Sequence, residues 1–78
     1  MSPILNVIET EVKGNIDVTT NSQYNNICAD SVTVFENITA RFFGIIKNKL
    51  VIKKGGRVYM HGKIVGSIEN DGGELHKY

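Results

Sequence analysis

The 78-residue chain is 41% apolar and 22% charged, with no Trp and a single Cys, a composition that fits one small soluble domain and leaves no room for a second core. The lone Cys28 excludes an intrachain disulfide, and the two histidines have no Cys or His companions at metal-ligand spacing. Net charge is +1 but uneven: residues 1–40 carry −4, residues 41–63 carry +7 without one acid, and residues 64–78 carry −2.

Residues 1–11 have early acidic charges and neither the basic start nor the long apolar stretch of a secretory signal. No apolar run approaches the ~18 residues of a membrane span. A cytoplasmic location without membrane contact is therefore expected. Ile16 and Val18 stand 16 residues ahead of Val32 and Val34, and the polar residues 21–26 between them predict a loop. From Cys28 every sixth position is small or aliphatic: Cys28, Val34, Ala40, Ile46, Ile52, Val58, Ile64. Two positions earlier in each hexad stand Val32, Ile38, Gly44, Leu50, Gly56, Gly62 and Ile68. The period places Cys28 inward as a structural thiol.

Three hexads make 18 residues, and a shift of 18 lays residues 31–44 on 49–62, with Gly44 on Gly62. A shift of 17 then lays Arg57-Val58 on Glu74-Leu75. Alternating segments such as Val32-Thr33-Val34, Leu50-Val51-Ile52 and Val58-Tyr59-Met60, punctuated by glycines, predict strands. The expected fold is all-β, a short β-solenoid (β-helix) of about four coils with 17–18 residue repeats. It forms a single domain over 1–78, with an irregular N-terminal cap and first coil in 1–30 and regular coils in 31–78. A small antiparallel barrel or sandwich with Gly-rich hairpins is the alternative.

The string Gly-Gly-Arg-Val-Tyr-Met-His-Gly-Lys-Ile-Val-Gly-Ser-Ile-Glu-Asn-Asp-Gly-Gly-Glu-Leu over residues 55–75 resembles the short-coil β-helix of bactofilins, the polymer-forming bacterial cytoskeletal proteins. The resemblance covers about residues 31–75 and implies a self-associating structural module, although this chain has fewer coils. Hexapeptide acyltransferases share the hexad but usually carry Gly, Ala or an acid after the aliphatic position. Here Phe35, Arg41, Lys47, Lys53, Tyr59 and Val65 stand there.

In stacked coils, residues 17 or 18 apart become neighbours. That register predicts ladders of Glu36, Lys54 and Asp71 and of Arg57 and Glu74, with Arg41 over Tyr59 as a cation–π contact. Lys47, Lys49, Lys53 and Lys63 are left without partners. With Arg41 and Tyr59 they are the candidate partner-binding residues, facing an acidic surface; the alternative is that the lysines only solubilise strand edges. No nucleophile motif, phosphate loop or metal set is present in the sequence. The expectation is a non-enzymatic chain with no cofactor, and nucleic acid is disfavoured by near-neutral charge and only two Arg. A small core with open ends needs support, so a homo-oligomer or a protein partner is expected. The function expected is a bacterial protein-binding module of the immunity or antitoxin type; the alternative is a bactofilin-like self-assembling protein.

Overall fold

The computed structural model describes residues 5–78. Seven strands follow in order: β1 Asn6–Ile8, β2 Val12–Val18, β3 Ser22–Val34, β4 Thr39–Ile52, β5 Arg57–Ile64, β6 Ser67–Asn70 and β7 Glu74–Lys77. Every pairing between them is parallel. A hairpin-built barrel would require antiparallel neighbours, so the chain is a β-solenoid of about four coils. β1 with β2, β3, β4, and β5 with β6 form successive coils, and β7 starts the next over β5.

Each full coil has three sides. Side one stacks residues 6–8, 22–24, 39–43, 57–61 and 74–77; side two stacks 12–14, 27–29, 44–46 and 62–64; side three stacks 15–18, 31–34, 49–52 and 67–70. Alternation along each strand sends every second side chain inward. Columns of like residues result. Val32 and Leu50 are 0% exposed on side three, while Ile68, at the last coil, is 37% exposed. On side one Tyr24 stacks on Phe42 at 5.4 Å between ring centroids. Burial pushes the Tyr24 phenol pKa up, and a hydrogen bond with Ser22 works the other way.

The 18-residue step holds throughout the pairing of β4 with β5 and β6. Gly44 and Gly62 coincide, as the shift predicts. A Cβ on Gly44 (φ 137°) would overlap the Ile27 carbonyl oxygen, and one on Gly62 would overlap that of Gly44. At these two positions the backbone of the neighbouring coil is so close that only glycine fits.

Three local expectations are corrected. Residues 22–24 of the polar segment are paired strand, flanked on both sides by β1 and β4. Their polar side chains are used: Asn21 Oδ1 accepts from the Thr39 amide at 2.9 Å, and Ser22 Oγ donates to the Thr20 carbonyl at 2.9 Å. The unpaired residues are Asn25 and Asn26, where the register between β3 and β4 shifts from 18 to 17. That slip also reverses Cys28. Ala29 pairs Ile46 and is buried, whereas Cys28 pairs Ile45 and Lys13 on the outer surface, because a one-residue slip exchanges the faces of a strand. The ladder of Glu36, Lys54 and Asp71 does not form ion pairs among the described residues. The Asp71 amide donates to Ile52 O at 2.8 Å, so the 18-residue step persists to that point and Gly72, not Asp71, lies against Lys54.

Candidate interaction surface

On side one the outward positions of β4 are Arg41 and Phe43, set there by alternation with the buried Ala40 and Phe42. The 18-residue step places Tyr59 over Arg41 and His61 over Phe43, and the 17-residue step places His76 over Tyr59. Tyr78, whose amide donates to Met60 O at 3.0 Å, continues that register over His61. Two adjacent columns of planar groups result. In the first, the Arg41 guanidinium lies 5.9 Å from the Tyr59 ring centroid, and His76 stacks on Tyr59 at 5.1 Å with 12° between planes. In the second, His61 lies between Phe43 at 4.7 Å and Tyr78 at 4.4 Å.

Because the rings stack along the coil axis, their edges face outward. Ring edges carry the positive part of the aromatic quadrupole. Phenol and imidazole polar atoms and the guanidinium add donors. Arg41 donates through Nη1 to Gln23 Oε1 at 3.4 Å, a neutral partner, and its buried Nε has no partner among the described residues. Its charge is not cancelled by a carboxylate there. At the margin, Arg57 and Glu74 form an ion pair at 2.9 Å, as the register predicts. The side thus presents aromatic edges, hydrogen-bond donors and one guanidinium with no carboxylate partner among the described residues.

The six residues singled out from sequence are not all neighbours. Arg41 and Tyr59 touch. Lys63 follows His61 by two positions on the same strand, in an outer column with Ile45, Cys28 and Lys13. Lys47 follows Ile46 at the corner between sides two and three, so Arg41 and Tyr59 lie on side one, Lys63 on side two beside it, and Lys47 away from both. Lys49 is on side three and pairs with Glu69 at 3.7 Å, which corrects its expected lack of a partner. The register treats residues directly opposite, and this pair is diagonal: Glu69 is two positions beyond Ser67, which faces Lys49. Lys53 sits at the corner between sides three and one, beyond the Arg57 and Glu74 pair. Lys13, at the far end of side two, has its pKa raised by a hydrogen bond and Coulombic attraction from Glu11, 3.1 Å away.

Phe43, His61, His76 and Tyr78 are not among the sequence candidates. Their signal is present in the chain, since Phe43, His61 and Tyr78 are separated by the same 18 and 17 residues that align the rest of it. Among the described residues no group of three or more His, Cys, Asp or Glu is placed to hold a metal ion, and no helix is long and apolar enough to cross a membrane. No family model matches the sequence, and no curated protein and no solved structure is significantly similar to it.

Proposed function

We propose that this β-solenoid is a non-enzymatic protein-binding module that occludes an acidic surface of a partner, in the manner of bacterial immunity or antitoxin proteins. The observation that carries this reading is the outer surface of side one: Arg41 with no carboxylate partner, backed by stacked Tyr59 and His76 and flanked by Phe43, His61 and Tyr78. Aromatic groups and Arg are the side chains that dominate protein interfaces. The stacks hold their rings in place before binding, which lowers the entropy cost of association. Lys63, two positions beyond His61, extends the positive surface and speeds encounter with an acidic partner.

An inhibitor of this type is commonly encoded beside its target. Titration of the purified product of the adjacent reading frame into this protein tests the reading; a one-to-one complex that weakens steeply with salt supports it, and absence of binding at micromolar concentration contradicts it.

The self-assembling, bactofilin-like reading draws support from the end of the stack, where Ile68 is 37% and Val65 60% exposed. The shape of that end opposes it. β7 makes side one a strand taller than sides two and three, so a second copy laid with its β1 over β7 leaves one layer of each of those two sides without a strand, and unpaired backbone groups there are costly. It would also set Asn6 on Leu75, a polar residue over the end of an inward column.

A further inference from the structure

β7 is the last strand in the sheet order, and among the described residues nothing pairs with its outer edge. Its His76 and the adjoining Tyr78 each have one ring face covered, by Tyr59 and His61, and the other directed along the coil axis toward that edge. Tyr78 is 71% exposed. Glu74 and Tyr78 turn their amides back to β5, so alternation directs those of Leu75 and Lys77 to the free edge. Both planar columns and the hydrogen-bond ladder therefore end, unfinished, on one strand.

A strand added here would place alternate side chains on the two ring faces at the spacing the columns already use. The residue between them would lie opposite Lys77, an exposed residue at the end of the inward column of Phe42 and Met60. A second copy does not supply this chemistry. Antiparallel pairing of β7 with itself in the register that sets His76 on Tyr78 also sets Lys77 on Lys77, and the in-register parallel stack sets Val7 on His76.

We infer that the β7 edge docks an extended segment of another protein that carries planar side chains at two positions two residues apart with a carboxylate between them. Backbone pairing gives affinity to such a strand, and alternate side chains give specificity. The inference rests on the protein-binding reading and names the segment by which the partner is held.

The probe is a blocked peptide, Thr-Val-Tyr-Glu-Tyr-Val-Thr, titrated into the whole protein and followed by amide and ring resonances. We expect its binding to weaken about tenfold when both Tyr are replaced by Ala, and to weaken similarly when its Glu is replaced by Lys. Tyr78→Ala and His76→Ala should each weaken it several-fold while Tyr78→Phe preserves it, and the amides of Leu75 and Lys77 should gain exchange protection. Equal binding of the three peptides, no binding of any, or shifts confined to other strands would overturn the inference. So would sedimentation showing a second copy on β7. If the edge fails while Arg41→Glu still disrupts the partner complex, only this inference falls and the protein-binding reading stands.

Discussion

The imidazole of His61 and the phenol ring of Tyr78 lie 4.4 Å apart and within 5° of parallel. Tyr78→Ala removes that contact at an exposed position and should cost about 0.5–1.5 kcal/mol. Urea unfolding measures the loss, and the His61 ring resonances should move downfield as the neighbouring ring current disappears.

Gly44→Ala should be among the most destabilising single changes. Its Cβ would overlap the Ile27 carbonyl and its φ of 137° disfavours any other residue. The neighbour is backbone and cannot rotate away, so a loss of more than about 3 kcal/mol is expected. Gly14→Ala is the control, because φ is 83° there but no atom lies within 4 Å of its Cβ. Strain alone should cost about 1–3 kcal/mol. Equal losses for both would contradict the close approach of the coils.

Leu50 and Ile68 share one column but differ in cover, at 0% and 37% exposed. Leu50→Ala should cost about 2–5 kcal/mol. Ile68→Ala should cost clearly less. A comparable loss at both positions in chemical denaturation would mean that the end of the stack is covered in solution.

Much of this is legible in the sequence, and the exceptions have local causes. The step of 18 from residues 31–44 to 49–62 is visible because each side supplies alternating aliphatics, and Gly44 on Gly62 pins it. The hexad alone misplaces Cys28, because the slip beside Asn25 and Asn26 moves Ala29, not Cys28, onto Ile46. Lys49 finds Glu69 because diagonal neighbours also touch. The ring columns are hidden for a different reason: taken singly, His61 and His76 are isolated histidines without companions at metal-ligand spacing, whereas the register makes them members of a stack.

Stability should fall in alkali through Tyr24. Its pKa is raised above 10.0 in the folded chain, chiefly by burial. Above the unfolded value the unfolded chain loses the proton while the folded chain keeps it, so the stabilisation present below that value is lost as pH rises through the folded one. Tyr24→Phe should flatten the alkaline decline of the urea midpoint. An unchanged slope would place its origin elsewhere.

The native chain should not polymerise end to end, because β7 makes side one a strand taller than the other two sides. Light scattering across a concentration series should show a bounded mass. Growth of that mass with concentration would favour the self-assembling reading.

The most direct test of the binding surface compares Arg41→Glu with Lys53→Glu, the same charge change in the planar column of side one and at the corner where side three meets side one, in calorimetric titrations with the product of the adjacent reading frame. Arg41→Glu should weaken the complex by about 30-fold or more, as expected for reversal of a charge at the centre of an interface, and Lys53→Glu by no more than about threefold. Equal losses, or a larger loss at Lys53, would contradict the assignment of side one as the binding surface.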